Sequence, residues 1–487
     1  MKHPELAVLI LAAGKGTRIK SNLAKVLHRA GGRTLLEAVL AAVKPLGARA
    51  VFVVVGHQAE EVARIAEAAG AKVIIQKPQL GTGHAVRVAR RKLSRGFADI
   101  LILPGDAPLV RTQSLAELLE CHRHAGAAAT LMTAILPDPT GYGRIVRRAA
   151  AVERIVEEKS LKPDERQIAE VNSSIYVFRP PKLFPLLERL GRNNPHREFY
   201  LTDVIALLRD AGEEVAGYTV ADFHEALGAN TRAELAEMDR ILRRRKAEAL
   251  MAAGVSIYMP ETVMIDADVS VGADTTIEPG VQLLGKTKIG RGCLIRSYSV
   301  LTDAIVEDRV TVRPWCLVTQ SRLGKDTVVG PFAHLRDGAE IRPGARVGNY
   351  VEVKKSVLGE GAKAMHLSYL GDAKIGKKTN IGAGTITCNY DGVKKNPTRI
   401  GDNVFVGSGT ELIAPIKIGD KVYVAAGSTL TENVPSGALA VARARQVNKP
   451  GWVRAQKRLA AAEARSPAGK RTGRRTRRRG KKRSRRR

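Results

Sequence analysis

The chain has 487 residues, of which 44% are hydrophobic, so it is long enough for at least two domains with separate cores. No apolar run reaches the roughly eighteen residues of a membrane helix, which argues against membrane insertion. The formal net charge is +32, but fourteen Lys or Arg and no acid fall from Arg465 onward. The four cysteines show no metal-ligand spacing, as is typical of free thiols in a reducing compartment, and we expect a cytoplasmic protein.

The first predicted element is a buried strand over residues 6–11, which runs into a glycine-rich turn. The alternative, a signal peptide, is weaker because a proline and an acid precede the apolar run instead of basic residues. Gly14 and Gly16 in the turn leave backbone N–H groups open to a phosphate. Residue 19 is isoleucine where a dinucleotide fingerprint needs glycine, and no lysine–serine pair of a P-loop follows, so neither motif is complete.

Helices and strands then alternate along the chain. Helices are predicted over residues 35–43, 59–69 and 83–93, and strands over residues 50–55, 72–76 and 100–103. This alternation predicts a doubly wound parallel sheet, which binds ligands at the carboxyl ends of its strands. Asp106 follows the last of these strands, where it is either a metal ligand or an ordinary surface charge.

A long helix is predicted between the two halves of the chain. Thr231 and Glu234 suit a capping box at its start, and apolar residues at positions 235, 238 and 242 continue along one face. The basic run at residues 243–246 is interpreted as a solvated helix face, with nucleic-acid binding as the alternative.

The second half of the chain repeats an aliphatic residue every six positions. The first run is Ile265, Val271, Ile277, Leu283, Ile289, Ile295 and Leu301, and a second is Leu317, Leu323, Val329, Leu335, Ile341, Val347 and Val353. Short strands that stack coil upon coil would give this period, so it predicts a β-solenoid rather than a sandwich with fortuitous spacing. The flat sides of a solenoid favour self-association.

Polar residues gather in the second half of this repeat: His334, Arg336, Tyr350, Lys354, His366, Tyr369, Asn380, Asn389, Tyr390, Lys395 and Arg443. The repeat is broken over residues 387–397, which predicts a loop that projects from the coils. Insertions of this kind usually lie on the binding side of a solenoid.

Four segments together resemble the sugar-nucleotide pyrophosphorylases: LAAGKGTR at residues 11–18, KVLH at 25–28, QLGTGHA at 79–85, and Gly105-Asp106. The second half resembles the bacterial bifunctional members, in which a UDP-N-acetylglucosamine pyrophosphorylase is joined to a glucosamine-1-phosphate acetyltransferase. The resemblance extends over roughly residues 5–452. It implies an α/β fold, a doubly wound nucleotidyltransferase domain followed by a left-handed parallel β-helix of hexapeptide repeats.

The same resemblance implies the domain boundaries and the activities. A uridylyltransferase domain would span residues 1–230, a linker helix 231–254, and the acetyltransferase β-helix 255–452. The enzyme would acetylate glucosamine 1-phosphate with acetyl-CoA and then transfer UMP from UTP to N-acetylglucosamine 1-phosphate. The products would be UDP-N-acetylglucosamine, a precursor for cell-wall and lipopolysaccharide synthesis, and pyrophosphate. The isolated 1–230 segment would keep uridylyl transfer.

Resemblance assigns the residues of the first site position by position. Nucleotide or sugar would be held by Leu11, Ala12, Ala13, Gly14, Lys25, Gln76, Gly81, Thr82, Pro104, Gly105, Asp106, Gly143, Glu157, Asn172 and Asn230. Arg18 and Lys25 would be catalytic, because charge that accumulates on phosphate oxygens needs cations. Asp106 and Asn230 would hold Mg²⁺, which needs few protein ligands. Taken alone, Lys25 would be a solvated lysine and Asn230 a helix cap.

Two departures from the family pattern affect this site. Ala24 stands where the family usually has proline, next to the catalytic Lys25. In the segment 172–174, serine stands where the family usually has glycine at position 174.

Resemblance likewise assigns the acetyltransferase site, with His366 as the general base that accepts a proton from the amine. Taken alone, His366 would be a structural histidine. The sugar phosphate would be bound by Arg336, Lys354, Tyr369, Asn380 and Lys395. Acetyl-CoA would be bound by Ala383, Asn389, Tyr390, Ser408, Ala426 and Arg443, with Asn389 or the 389–390 backbone as a candidate oxyanion donor. The segment 424–427 departs from the family pattern. Residues of this site come from separated coils, and the family implies a homotrimer.

The tail at residues 453–487 is rich in Arg and Lys and poor in apolar residues, which predicts disorder. Nucleic-acid binding, binding to an anionic membrane, and a solubilising extension without a partner are the alternatives for it. For the whole chain, two other functions compete with the bifunctional enzyme. One is a single-activity nucleotidyltransferase that uses the solenoid only to oligomerise, and the other is a non-enzymatic regulatory subunit.

Overall fold

The computed structural model describes residues 3–94, 96–149 and 151–465, apart from the side chain of Thr17. The chain divides into two compact units, residues 1–441 and residues 442–487. The first unit has an α/β architecture, in which a doubly wound sheet precedes a left-handed parallel β-helix.

The amino-terminal sheet is the doubly wound sheet that the alternating pattern predicts. Its strands are β1 (His3–Ala12), β4 (Ala48–Val55), β5 (Lys72–Ile75), β6 (Asp99–Pro104), β7 (Ala129–Ile135), β8 (Arg144–Arg148), β9 (Ala151–Val156), β10 (Glu170–Phe178) and β11 (Val215–Thr219), while β2 (Arg29–Ala30) and β3 (Arg33–Thr34) form a separate ribbon. The spatial order is β11-β7-β10-β6-β1-β4-β5, with the hairpin β8-β9 attached at β10. The apolar run at residues 6–11 is therefore a central strand of this sheet.

Helices cover both faces of the sheet. They are α1 (Leu35–Val43), α2 (Ala59–Ala68), α3 (Thr82–Leu93), α4 (Thr112–Ala125), α5 (Pro180–Leu187) and α6 (Asp203–Asp210), and short 3₁₀ turns include Thr17–Ile19 and Lys25–Leu27. Successive residues of β1 point to opposite faces. Leu6 and Val8 pack in the core shared with α1, α2 and α4, whereas Ala7 and Leu9 pack in the core shared with α3, α5 and α6. Both faces of the central strand are buried for this reason.

The predicted connecting helix is α7 (Arg232–Ala252), and its capping box is formed by Thr231 and Glu234 as expected. Its apolar face packs against other parts of the protein. Met238 and Ile241 are buried in a small core with residues of the first 230, Leu35 among them. Helix α7 is thus packed against the amino-terminal domain along its first half.

The basic run on α7 is only partly a solvated face: Arg244 is exposed and pairs with Glu248 one turn along the helix. Arg243 donates hydrogen bonds to Asp239 at 2.8 Å and to Asp266 at 2.9 Å. Arg245 donates to Asp222 at 2.9 Å. The interpretation of a solvated face is wrong for Arg243 and Arg245, because Asp266 and Asp222 lie outside α7 and the pairs attach the helix to the β-helix and to the amino-terminal domain.

The β-helix has three parallel sheets, one on each side of its triangular section. The first contains Ser256–Ile257, Thr276–Ile277, Leu294–Ile295, Thr311–Val312, Val328–Val329, Arg346–Asn349, Lys363–His366, Asn380–Ile381, Phe405–Val406, Tyr423–Val424 and Leu439–Ala440. The second contains Met264–Ile265, Gln282–Leu284, Val300–Thr302, Leu317–Thr319, His334–Arg336, Glu352–Lys354, Tyr369–Gly371, Ile386–Cys388, Glu411–Ile413 and Thr429–Leu430. The third contains Ser270–Val271, Lys288–Ile289, Ile305–Val306, Arg322–Leu323, Glu340–Ile341, Val357–Leu358, Ala373–Ile375, Thr398–Ile400 and Ile416–Ile418.

The six-residue pattern identifies the inward side chains except where one side of a coil has five residues. Leu283, Ile295 and Leu301 are buried as predicted, and so are Leu335 and Ile341. Leu317 was expected to point inward, but it is exposed and its neighbour Val318 is buried instead. The inward position moves by one residue where Leu301 is followed five positions later by the buried Val306, and it returns to the predicted positions where Val318 is followed five positions later by Leu323.

One corner of the β-helix, between the first and second sheets, carries an exposed row of large apolar side chains. We call this row, Tyr298, Trp315, Phe332, Tyr350 and Leu367, the aromatic corner. All five have a φ between 42° and 62°, a left-handed conformation that bulky residues rarely adopt. Tyr298 stacks on Trp315 at a ring separation of 4.5 Å, and Phe332 stacks on Tyr350 at 5.2 Å. At the following coils the same corner is occupied by Gly384, Gly409 and Gly427.

The second unit contains one described helix, α8 (Trp452–Arg465). Disorder from residue 453 onward is therefore wrong for the first part of the tail. Alanines and arginines, which favour a helix, dominate this segment, and composition alone did not separate it from the residues that follow. Residues 466–487 lie outside the described residues. Within the described part, no helix is both long enough and apolar enough to cross a membrane.

Candidate functional site

The carboxyl ends of the neighbouring strands β1 and β6 build the floor of the first site. Leu11 of β1 is paired with Pro104 of β6, and the backbone N–H of Gly105 donates to the carbonyl of Leu11 at 2.9 Å. A Cβ at Gly105 would lie 3.2 Å from the Cβ of Ala12, so glycine lets the two strand ends approach closely. This close approach places Asp106 directly beside the glycine-rich turn.

Four predicted residues meet at this point. Lys25 forms an ion pair with Asp106, and its Nζ donates to Asn230 Oδ1 at 2.9 Å. The guanidinium of Arg18 donates to the same oxygen at 2.8 Å. Lys25 is therefore not a solvated lysine. Asn230 is not the helix cap either, because the side chain of Thr231 accepts the capping hydrogen bond of α7.

The pair Asp106 and Asn230 suits a divalent cation. Each presents an oxygen to the same ammonium group of Lys25, so the two oxygens already share one cation. Gly228 beside Asp106 has no side chain to block the carboxylate. A carboxylate and an amide oxygen, with water in the remaining positions, form the kind of ligand set that Mg²⁺ accepts.

Ala24 stands where the family usually has proline, and it makes a hydrogen bond that proline could not make. Its φ of −56° is the value that proline would impose. Its N–H, which proline lacks, donates to Oε1 of Gln58 at 2.6 Å. The loop that carries Lys25 is thus attached to the segment after β4, and the departure leaves the loop conformation in place. Gln58 was missed by sequence reasoning because no motif includes it.

The predicted nucleotide residues of the 76–82 segment are joined to one another. Gly81 has a φ of 100°, and a Cβ there would lie 2.7 Å from the carbonyl oxygen of Phe199. The buried Gln76 donates from Nε2 to the carbonyl of Gly81 at 3.0 Å. Thr82 accepts a hydrogen bond from the backbone of Leu201 at 3.0 Å. These bonds fix the loop at the amino terminus of α3, where the N–H of Gly83 also donates to the carbonyl of Phe199 at 2.8 Å.

The predicted sugar residues Gly143, Glu157 and Asn172 lie at the open end of the β8-β9 hairpin. The N–H of Asn172 donates to the carbonyl of Gly143 at 2.9 Å, and Thr202 donates to Glu157 at 3.1 Å. Burial raises the pKa of Glu157 above its ordinary value, and the nearby carboxylate of Asp203 raises it further. A buried carboxyl at this position is suited to a hydroxyl-bearing ligand.

An ion pair that the sequence did not reveal flanks these residues. Arg144, which follows Gly143, is buried, and its NH1 lies 2.9 Å from Oε2 of Glu158, which follows Glu157. Arg144 also donates to the carbonyl of Tyr142. The guanidinium therefore joins the two sides of the open hairpin end. The sequence offered one sign of this ion pair: Arg144 and Glu158 each directly follow a residue predicted to bind the sugar.

The backbone conformation at Ser174 explains why the family usually has glycine at this position. Ser174 has a φ of 62°, in the left-handed region that favours glycine. Its N–H donates to Oδ1 of Asn172 at 3.1 Å, and Asn172 donates in turn to the hydroxyl of Tyr176 at 2.8 Å. The side chain of Asn172 is thus used to hold the bulge in β10.

In the β-helix, His366 ends a strand of the first sheet next to the aromatic corner. Its Nδ1 lies 2.8 Å from Oδ1 of Asn349, the residue paired with it on the preceding coil. An amide oxygen can only accept, so Nδ1 carries the proton and Nε2 is left with a free lone pair. This is the tautomer that a general base requires. Asn349 was missed because its position one coil away depends on the strand register.

Above His366, the corner changes from aromatic residues to glycine. Gly384 donates its N–H to the carbonyl of Leu367 at 2.9 Å, Gly409 donates to Ala383 at 2.7 Å, and Gly427 donates to Ser408 at 2.8 Å. Because glycine has no side chain, this part of the corner forms a shallow groove that begins at His366. The predicted acetyl-CoA residues Ala383, Ser408 and Ala426 each precede one of these glycines.

Arg336 and Lys354 of the second sheet form a cationic cluster with Lys395 of the projecting loop. The neighbouring Lys354 ammonium lowers the pKa of Lys395 below its ordinary value, because two like charges lie close together. Arg336 is held in place by Glu352, with its NH2 2.6 Å from Oε1. Tyr369 lies near both Arg336 and Lys395. Two adjacent ammonium groups with a guanidinium nearby suit a phosphate dianion.

The remaining residues predicted for the acetyltransferase site lie apart from this cluster. Asn380 is on the first sheet, while Lys354 and Tyr369 are on the second, so one chain presents them on different faces. Asn389 is buried and donates to Oδ2 of Asp372 at 2.6 Å. Its backbone N–H donates to the carbonyl of Thr387 at 2.9 Å, so of the 389–390 segment the N–H of Tyr390 is the remaining oxyanion candidate. Tyr390 is exposed on the projecting loop and donates to the carbonyl of Gly392 at 2.7 Å. Arg443 belongs to the second unit.

Comparison with known families agrees with both halves of the chain. The MobA-like NTP transferase domain matches residues 8–199. The bacterial transferase hexapeptide, with six repeats, matches residues 268–303, and the hexapeptide repeat of succinyl-transferase matches residues 397–432.

Similar proteins extend over nearly the whole chain. A bifunctional protein GlmU from Koribacter versatilis (strain Ellin345) is 50% identical over 453 residues, which cover 92% of this chain and 96% of that protein. The bifunctional protein GlmU of Pelobacter propionicus is 47% identical, with 92% and 98% covered, and that of Anaeromyxobacter sp. (strain Fw109-5) is 49% identical, with 95% and 97% covered. With a nucleotidyltransferase site, a β-helix site and relatives of this similarity, the chain belongs to the family of bifunctional GlmU proteins.

Proposed function

We propose that the chain acetylates glucosamine 1-phosphate with acetyl-CoA and then transfers UMP from UTP to N-acetylglucosamine 1-phosphate. It is a bifunctional enzyme with a nucleotidyltransferase and an acetyltransferase half. The observation that supports the proposal is the presence of two separate clusters of polar residues, one around Lys25, Asp106 and Asn230, and one around His366 and Asn349. A regulatory subunit would need neither cluster, and a single-activity nucleotidyltransferase would not need the second.

In uridylyl transfer, the phosphate of the sugar attacks the α-phosphorus of UTP and pyrophosphate leaves. Arg18 and Lys25 neutralise the phosphate oxygens, and the N–H groups of the 11–16 turn bind them. Glu157 and the backbone of Gly143 bind the sugar. Asp106 and Asn230 would hold Mg²⁺, which when bound supplies positive charge to the phosphates. Lys25 would then leave Asp106 and move to the nucleotide.

In acetyl transfer, Nε2 of His366 takes a proton from the amine as its nitrogen attacks the thioester carbonyl. Asn349 keeps the imidazole in the tautomer that can accept this proton. Lys354, Lys395 and Arg336 bind the phosphate of the sugar, while the pantetheine arm lies in the glycine groove beside Leu367. The N–H of Tyr390 stabilises the tetrahedral oxyanion, which collapses as the C–S bond breaks, and the CoA thiolate leaves with the proton that His366 took from the amine.

The active form is proposed to be a cytoplasmic homotrimer with shared acetyltransferase sites. Two features support this. Asn380 and the Lys354 cluster lie on different sheets of one chain, so a sheet of a second copy would have to complete the site. The aromatic corner between these sheets exposes Tyr298, Trp315 and Leu367 by more than half, as is typical of a surface that another copy covers.

The test is a coupled assay of the purified protein with UTP, Mg²⁺, acetyl-CoA and glucosamine 1-phosphate. CoA thiol and pyrophosphate should both be released. His366→Ala should abolish thiol release yet still use supplied N-acetylglucosamine 1-phosphate, and Asp106→Ala should do the reverse. If one variant abolished both activities while remaining folded, the assignment of two independent sites would be wrong.

A further inference from the structure

The loop that carries Lys25 contains a buried backbone N–H that is absent where the family has proline. Ala24 is 1% exposed, and it stands where the family usually has proline, which has no N–H. A buried N–H without an acceptor is costly. Among the described residues, the acceptor of the Ala24 N–H is Oε1 of Gln58, at 2.6 Å. An alanine at this position therefore needs a partner that proline does not need.

Gln58 is itself fixed beside the glycine-rich turn. It lies directly before α2, where its carbonyl accepts a hydrogen bond from the N–H of Val62 at 3.2 Å. The N–H of the preceding His57 donates to the carbonyl of Ala13 at 3.2 Å, and a Cβ at Gly56 would lie 2.9 Å from that carbonyl oxygen. This segment thus contacts the turn through His57 and the lysine loop through Gln58.

The position of Ala24 determines where Lys25 begins. The carbonyl of Ala24 accepts from the N–H of Leu27 at 2.9 Å, which closes the 3₁₀ turn that contains Lys25. A Cβ at Gly16 would lie 2.7 Å from the Cβ of Lys25, so the loop packs closely against the glycine-rich turn. Alanine leaves φ free to vary, whereas proline restricts it. Without an acceptor for its N–H, Ala24 would be free to shift and to carry Lys25 away from the phosphates.

We propose that Gln58 is a positioning residue for Lys25, and that its hydrogen bond to Ala24 replaces the restriction that proline supplies in other members of the family. This role rests on the proposed uridylyl transfer. Gln58 acts through Ala24 rather than by contact with the reacting atoms. Its role is therefore conditional: with proline at position 24, the side chain of Gln58 has no donor to meet and becomes dispensable.

Substitutions at Gln58 test this role in uridylyl transfer. Gln58→Leu keeps the size of the side chain but removes the acceptor. It should lower kcat about tenfold while the KM for UTP changes less than about twofold, because Lys25 acts on charge that develops in the transition state. Gln58→Glu keeps an acceptor oxygen and should stay within about twofold of the parent. Gln113→Leu, at an exposed glutamine that bonds within its own helix, is the matched control and should behave like the parent.

Two double variants separate positioning of Lys25 from general damage to the domain. In the Lys25→Ala chain, Gln58→Leu should lower kcat no further, because the residue through which it acts has lost its ammonium group. In the Ala24→Pro chain, Gln58→Leu should leave the kcat of uridylyl transfer unchanged. A loss in either background equal to that in the parent would overturn the proposal, and so would a kcat of Gln58→Leu equal to that of the parent.

Thermal unfolding gives a readout that does not depend on activity. Gln58→Leu should lower the melting temperature of the parent, because the Ala24 N–H is left without its acceptor, but not that of the Ala24→Pro chain. A parent that shows this dependence but releases no pyrophosphate would contradict the proposed function and not the attachment of the loop. An equal loss of melting temperature in both backgrounds would show that Gln58 acts elsewhere in the fold, which would refute the proposal.

Discussion

Replacing Asn349 tests whether the tautomer of His366 is set by its neighbour on the preceding coil. The hydrogen bond of 2.8 Å between Nδ1 and Oδ1 is exposed, so its net worth is about 0.5–1.5 kcal/mol. Asn349→Ala should therefore lower the kcat of acetyl transfer about tenfold or less. Loss of the base itself in His366→Ala should cost about a hundredfold or more.

Asn349→Asp separates orientation from folding. A carboxylate at this position still accepts from Nδ1, but it also stabilises the protonated imidazole. The acidic limb of the kcat/KM profile for thiol release should therefore move to higher pH by about one unit, while uridylyl transfer is unchanged. If the alanine and aspartate variants showed the same rate loss and the same pH profile, Asn349 would not be acting through His366.

Three further predictions concern the first domain. Glu158→Gln should raise the KM for N-acetylglucosamine 1-phosphate about tenfold and leave the KM for UTP unchanged, because Arg144 would no longer hold the two sides of the sugar site together. Since burial raises the pKa of Glu157, the stability it contributes is present at low pH and is lost as pH rises through the raised pKa. The melting temperature of Glu157→Gln relative to the parent should accordingly increase as pH rises above the ordinary carboxyl range, and level off once Glu157 is ionised in the folded protein. Ser174→Gly should stabilise the protein by about 0.5–1 kcal/mol in thermal unfolding, because it relieves a positive φ.

Each of these has its own control. Glu153→Gln removes an ion pair of the same hairpin that lies farther from the sugar site, and it should leave both KM values unchanged. A melting temperature of Glu157→Gln that fell steadily with pH relative to the parent would contradict the assigned burial cost. Destabilisation by Ser174→Gly would show that the hydroxyl matters more than the backbone conformation.

Periodicity was sufficient to predict most of the backbone. The helix predicted over residues 35–43 begins and ends at those residues, because its capping box and apolar spacing are local signals. The capping box of α7 was likewise readable from Thr231 and Glu234. The register of the β-helix was harder to predict from the sequence. A single five-residue side turns Leu317 outward, and it is stacking against the neighbouring coil that places Val318 inward.

The sequence could not predict which residues form contacts between coils or between domains. Asn349 meets His366 only because two strands of the first sheet pair in one register. Arg243 was interpreted as solvated because its second partner, Asp266, lies beyond the helix in the β-helix. A pattern along one chain segment cannot specify such pairs, whereas motifs such as the glycine-rich turn specify their own geometry.

The attachment of α7 has a practical consequence for anyone who divides this protein into separately expressed halves. Cutting after residue 230 would strip the backbone N–H of Asn230 of its acceptor, Glu234, and would uncover the small core around Met238. The amino-terminal fragment should melt at a higher temperature when it ends after Ala252 than when it ends after Asn230. A boundary drawn by function at 230 and one drawn by packing at 252 are different boundaries, and only the second keeps α7 packed in the core around Met238.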